Sequence, residues 1–212
     1  DVAKQGYVNL LPVQNKRSKD PGDSKAMVQA RREFLEQGYY EPLAQVLADT
    51  VLAQGEQAVL DAGCGEGYYL RYLVEQAEQN GTDLSMAALD ISKWAVQAAA
   101  KRDKRLSWMV ASNNSIPMRS TGDHLKELKA IIYSEIKTKS DNLPVNSEYW
   151  SLASEQRVTF QFELNNNQAV QNLLTMTPHL YRSSAEGRER AEAHSSLQLT
   201  VDVWVRAFSF ES

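Results

Sequence analysis

Apolar positions recur in two rhythms along this chain. The runs at 57–61, 84–90 and 106–111 have the length and composition of strands, whereas 67–79 and 92–103 repeat their apolar residues every three or four positions, as helices do. Upstream, Met27, Ala30, Phe34 and Leu35 mark one face of a helix that Asp23 or Ser24 can cap and Gly38 can end. Pro42 opens a second helix with Leu43, Val46, Leu47 and Val51 on one face. Residues 1–23 read as irregular, around a short apolar piece at 8–13 and the turn Asp20-Pro21-Gly22. Leu125, Leu128, Ile131 and Ile132 predict another helix. The tail is β-rich at 157–164 and 197–208, with helices near 166–175 and 185–194 between. Strands alternating with helices imply an α/β fold, a mostly parallel sheet with flanking helices, and the late strand pair predicts an antiparallel C-terminal strand.

Composition narrows the class. A chain of 212 residues with 42% hydrophobic and 24% charged residues suits one globular domain with an appendage. No apolar run reaches the ~18 residues of a membrane span, and no signal peptide is visible. The single cysteine, Cys64, excludes an internal disulfide and suits a reducing cytoplasm; it reads as a small residue packed in a turn. Three histidines and one cysteine offer no metal-ligand spacing. A net charge of −4 argues against gripping nucleic acid by bulk electrostatics, while leaving room for a local basic patch.

The chemistry concentrates in Val59-Leu60-Asp61-Ala62-Gly63-Cys64-Gly65-Glu66-Gly67-Tyr68-Tyr69: an apolar run, an acid, three glycines at alternate positions, then a helical pattern. A strand, a backbone-only turn and a helix start are the way α/β proteins hold a nucleoside cofactor. A dinucleotide fingerprint would need glycine at Tyr68. The spacing D-x-G-x-G-x-G instead resembles motif I of class I S-adenosylmethionine (SAM) methyltransferases. The methionine carboxylate of SAM suits the N-terminus of the helix after Gly67, where free N–H groups favour an anion. Asp90, ending the next strand roughly 20 residues on, is placed to accept the ribose hydroxyls. Ser92 then caps the following helix.

Several further stretches resemble one narrow family. They are Gly6-Tyr7-Val8-Asn9-Leu10-Leu11-Pro12-Val13-Gln14, Lys16-Arg17-Ser18 with Asp20-Pro21-Gly22-Asp23-Ser24, Ala30-Arg31-Arg32-x-Phe34-Leu35, Gly38-x-Tyr40-x-Pro42-Leu43, Leu89-Asp90-Ile91-Ser92-Lys93 and Ala98-Ala99-Ala100-Lys101-Arg102. With the glycine loop they are similar to the bacterial 23S rRNA (guanine-N1)-methyltransferases of the Gram-negative branch, over most of residues 4–135. The resemblance implies SAM held by Asp61, Gly63, Gly65 and Gly67, with Tyr69 and Leu70 beside it, Asp90 on the ribose, Tyr40 closing over it and His124 lining the pocket. Taken alone, Tyr40 reads as a core aromatic and His124 as a helix-start residue. Lys16, Arg17, Lys19, Arg31 and Arg32 would face RNA phosphates, although ordinary solvated surface explains them equally well. Tyr68 is a candidate for stacking an extruded base, with packing as the other reading. A 23S rRNA partner in the cytoplasm and a homodimer are also implied.

Two departures from that family stand out. The zinc ribbon that the resemblance implies has no such set of cysteine or histidine ligands in this chain, so zinc is expected only in an N-terminal domain outside it. Its sheet has seven strands, while the pattern here supplies five. The missing pair, with the catalytic loop, would fall between Ser120 and Thr121, where roughly 40–50 residues are expected absent, since two central strand edges left unpaired are costly. The domain reading is therefore an N-terminal segment and helix at 1–45 and a methyltransferase domain at 46–212 interrupted after 120. No catalytic base is assigned. A small-molecule SAM methyltransferase would share the loop and Asp90 but has no reason to carry the Lys16–Asp23 block, and a non-catalytic SAM-binding protein is the third reading.

Overall fold

A computed structural model describes residues 2–11, 21–112, 123–133, 135 and 150–210, and they fall into two units, Asp1–Ser115 and Ile116–Ser212. In the first unit four parallel strands stand in the order β1-β4-β3-β2, with β1 at Tyr7–Asn9, β2 at Ala58–Ala62, β3 at Ser85–Asp90 and β4 at Ser107–Val110. The helices are α1 (Lys25–Leu35), α2 (Glu41–Ala53), α3 (Tyr68–Gln79) and α4 (Lys93–Arg102). The expected strand and helix alternation is present within a residue or two.

The N-terminal stretch, expected irregular, instead contributes β1. Tyr7 pairs with Trp108, and Leu10 N–H donates to the Val110 carbonyl at 2.8 Å. Three residues are too few to show alternation, and their pairing partners lie 101 positions away in sequence, so a local pattern could not reveal the strand.

Local chemistry sets the helix starts. Ser24 Oγ accepts from Met27 N–H, and Ser92 Oγ accepts from Ala95 N–H, both at 3.3 Å. Pro42 stands in the first turn of α2. The core joins Leu70, Leu73 and Val74 of α3, Val96, Ala99 and Ala100 of α4, and Trp108 and Val110 of β4. The alanines of α4 let it lie close to the sheet. Trp108 is buried, and its indole N–H donates to the Asp103 carbonyl at 2.8 Å, so the polar edge of the ring is satisfied. At the other side of the sheet β2 pairs with β3, and Leu60 is 57% exposed.

The second unit is built on an antiparallel ribbon of its own, β5 (Trp150–Leu164) with β6 (Leu197–Phe210). α5 (Lys126–Ile132), α6 (Asn167–Met176), α7 (His179–Arg182) and α8 (Ala185–Glu192) complete it. The late antiparallel pair is thus present as a separate two-stranded sheet. Buried Leu199 and Val201 fill one face of β6, and Thr200 and buried Asp202 occupy the other. Glu127 takes both the backbone N–H (2.9 Å) and the hydroxyl (2.6 Å) of Thr200, fastening α5 to the ribbon. The suggested gap after Ser120 lies outside the described residues.

Candidate functional site

The glycine loop stands at the C-terminal ends of β2 and β3, and the end of β3 dictates its shape. Gly63 and Cys64 both donate N–H to the Leu89 carbonyl, at 2.8 and 3.1 Å. Asp90 then braces the next turn: Oδ2 accepts from Gly65 N–H at 2.9 Å and Oδ1 from Ser92 N–H at 2.7 Å. Two of the glycines do different work. Gly67 (φ 82°) lies under Trp108, and a Cβ there would sit 2.5 Å from the indole Cη2. Gly65 (φ 56°) instead faces room among the described residues, where an added Cβ would meet just the Arg31 Cδ, at 4.0 Å. The core therefore needs Gly67, and the room is in front of Gly65.

Around that room the electrostatics are strongly acidic. Asp61, at the end of β2, is half-buried and receives no hydrogen bond from any described residue. Burial, helped by the charge of Asp90, pushes its carboxyl up to about 6. Burial also raises the Asp90 carboxyl, against the pull of its two backbone N–H groups. The Cys64 thiol is driven upward by burial and by Asp61 and Asp90, so it stays protonated and is no nucleophile at neutral pH. Buried Glu66 rises through desolvation, partly offset by Arg71 and Arg102, which approach it at 3.2 and 3.4 Å; Arg102 also pairs with Glu36 at 2.5 Å. This cluster ties the loop to the ends of α1 and α4.

Aromatic groups complete the surroundings. Tyr40 is buried edge-on against Phe34, with ring centroids 5.4 Å apart. Burial raises its hydroxyl pKa, and Arg31 tempers the rise. Tyr69 shows the same pair of influences, with Tyr40 close enough to add to the shift. Tyr68 stacks edge-on with Tyr69 at 5.2 Å, and its hydroxyl is pushed up to about 12, chiefly by burial.

Tyr40, Asp61, Gly65, Tyr69 and Asp90 thus gather around one loop. Gly63 anchors that loop on β3, and Leu70 sits in the core at 2% exposure. His124 belongs to the second unit, where its Nδ1 lies 3.4 Å from the backbone nitrogen of Asp202; burial pushes its imidazole down to about 4, leaving it neutral at pH 7. Lys16, Arg17 and Lys19 lie outside the described residues. Arg31 and Arg32, the other two RNA candidates, carry electrostatic contacts with acids of the loop region. Arg31 pairs with Asp23 at 2.7 Å, and Arg32 stands within electrostatic reach of Glu66 with its Nε buried and unpartnered. The sequence held a signal for Arg31: it follows Met27 and Val28 by four and three residues and precedes Phe34 and Leu35 by the same spacings, so it shares their helix face.

Among the described residues, the room before Gly65, an Asp61 carboxylate without a donor and a second acid at Asp90 fit a nucleoside cofactor that carries positive charge. A family model described as a methyltransferase domain matches residues 37–176, which takes in the loop, Asp90 and His124. The chain belongs to this methyltransferase-domain family. A second model, described as RlmA, N-terminal, and named for a zinc ribbon, matches residues 1–19 of this chain. That stretch contains no cysteine or histidine, and no group of metal-binding side chains occurs among the described residues, so the residues present do not fit zinc.

A 23S rRNA (guanine(748)-N(1))-methyltransferase of Streptomyces fradiae is 40% identical over 124 residues, 56% of this chain and 42% of that protein. A Bacillus subtilis protein, YxjB, provisionally designated a 23S rRNA (guanine-N(1)-)-methyltransferase, is 25% identical over 96% of this chain and 85% of its own length. Among solved structures, the plantazolicin methyltransferase BpumL aligns over 80% of this chain and 68% of its own at 15% identity, with a TM-score of 0.30. The chain spans about two fifths of the length of the Streptomyces relative. No helix among the described residues is long and apolar enough to cross a membrane.

Proposed function

We propose that this methyltransferase moves a methyl group from SAM to N1 of a guanine in a 23S rRNA loop. The acidic, open glycine loop carries the cofactor half of that reading. The 40% identity to a 23S rRNA guanine-N1 methyltransferase, over 56% of the chain, supports the substrate half. SAM supplies an electrophilic methyl on a sulfonium, so the protein's task is mainly alignment. Asp90, already fixed by two backbone N–H groups, keeps free lone pairs on both oxygens for ribose hydroxyls. Asp61 offers a carboxylate to the cofactor's cationic end, and Tyr40 and Tyr69 wall the pocket against water. Guanine N1 carries a proton at neutral pH and lies on the pairing edge, so the base must be unpaired and deprotonated for attack. An rRNA substrate places the protein in the cytoplasm, and a homodimer and a zinc-bearing segment preceding Asp1 remain part of the proposal, as does the partition at residues 45 and 46.

The proposal includes a segment absent from this sequence after Ser120, carrying two strands and the catalytic loop. Two observations support it. The alignment with YxjB extends over 244 positions while using 96% of these 212 residues, so about 40 positions stand opposite no residue here. Exposed Leu60 on β2 marks a sheet edge suited to another strand. A measured mass of 23.8 kDa for the native protein would refute the segment.

The function is tested with native protein, tritiated SAM and 23S rRNA from a strain lacking the gene. Incorporation with a primer-extension stop at one guanine is expected. SAM binding without incorporation would shift the reading to a small-molecule methyltransferase or to a non-catalytic SAM-binding protein.

A further inference from the structure

We infer that Arg31 is the residue that receives the carboxylate of the cofactor's methionine moiety, an inference that rests on the SAM reading above. Carboxylates cluster at the glycine loop: Asp90 accepts from Gly65 N–H, Asp61, Asp90 and Glu66 all act electrostatically on Cys64, and Asp23, paired with Arg31, acts on Asp90. Such a field suits an ammonium and a sulfonium. It repels the carboxylate that the same ligand carries, unless a cation meets that carboxylate locally.

Arg31 is that cation by position. Its Cδ is the nearest atom to the space over Gly65, at 4.0 Å from where a Cβ would stand. Its charge acts on Tyr40, Tyr69 and Asp90, three side chains that surround the loop from three different elements. It is neither buried nor free: its side chain and that of Asp23 are each 31% exposed, so a ligand can reach the pair from solvent. Asp23 is itself fixed, because Ser92 Oγ donates to its carbonyl at 2.6 Å and Gly22 packs against Ile91 and Ser92. Asp23 therefore holds the guanidinium over the loop as a positioning residue, and Arg31 can present N–H groups to a ligand carboxylate from that station. The helix N-terminus after Gly67 adds to this but does not carry it.

Calorimetry on the full chain tests the assignment with two probes, SAM and decarboxylated SAM, which differ in the carboxylate alone. Wild type is expected to prefer SAM on the order of 10- to 100-fold, the range for a charged hydrogen-bonded pair. R31Q should lose that preference by weakening SAM while leaving decarboxylated SAM unchanged, and R31K should restore part of it. Thermal melting checks that each variant is folded, and R31K serves if R31Q is not. A preference that persists in R31Q, an equal loss for both probes, or unchanged SAM affinity with weakened rRNA binding would each overturn the assignment while leaving the cofactor reading intact. Wild-type protein that binds neither probe would overturn the cofactor reading and this inference with it.

Discussion

Two acids, one in each unit, show how a buried charge reveals its purpose. Asp202 on β6 is 1% exposed and fully engaged: Arg157 donates to both its oxygens at 2.8 Å, and Thr159 adds a third hydrogen bond at 3.0 Å. Asp61 on β2 is half-buried next to another carboxylate, and no described residue donates to it. The first arrangement is closed, so its polar groups serve the ribbon. The second leaves an acid to which no described residue donates, beside a glycine whose Cβ would meet no other described atom than the Arg31 Cδ within 4 Å. Strand acids of the same residue type thus separate into structural and ligand-facing by their hydrogen bonds.

Breaking the closed elements should hurt stability most. Gly67→Ala drives a methyl into the Trp108 indole at a positive φ, with an expected loss of about 3 kcal/mol or more in chemical denaturation. Gly65→Ala should cost about 1 kcal/mol of stability for its left-handed backbone, yet lower SAM affinity severely by filling the space before the loop. If both variants lose equal stability, the distinction between the two glycines is wrong. Asp202→Ala, which strips Arg157 and Thr159 of their acceptor, should cost about 2 kcal/mol in denaturant melts and leave SAM affinity alone.

Asp61→Asn should behave in the opposite way. An unfolded aspartate titrates near 4 and the folded one at about 6, so the native state holds more protons between those values. Stability of the cofactor-free protein accordingly declines as pH rises through that window and stays lower above it. The Asn variant, with no charge to bury, should melt higher than wild type at pH 8 while binding SAM more weakly. A lower melting temperature at pH 8 would sink the idea that Asp61 is held at a cost to the fold. The smallest effect concerns His124. Its folded pKa of about 4 lies below the unfolded value, so its contribution is present at neutral pH and is lost as pH falls from about 6.5 toward 4. His124→Gln should flatten that acid limb of the second unit's stability curve and leave pH 7 to 8 nearly unchanged.

The sequence reading reached the strands and helices of the first unit because their periods are long enough to read: β2, β3, α3 and α4 each show a clear rhythm ending in a recognised turn. β1 was hidden by its three-residue length and its distant partner. The loop acids and glycines were legible from spacing alone, since backbone-only turns leave that mark. What the spacing could not show was which glycine serves the core, because Trp108 arrives from a strand 41 positions later. For Arg31 the resemblance implies an RNA contact and the sequence alone allows a solvated surface; neither points to its ion pair with Asp23. Its pairing with Asp23 near Gly65 depends on where the turn at 21–24 is fastened to Ser92, the N-cap of α4.

The central claim, that the unsatisfied acid at the glycine loop awaits a cationic cofactor, is tested most directly by proton release. Calorimetric titration of SAM into the protein at pH 6, repeated in buffers of different ionisation enthalpy, counts protons exchanged per ligand. If SAM lowers an Asp61 pKa that stands at about 6, wild type should release about half a proton on binding and the Asp61→Asn variant almost none. No release from wild type, or the same release from both proteins, would contradict the account.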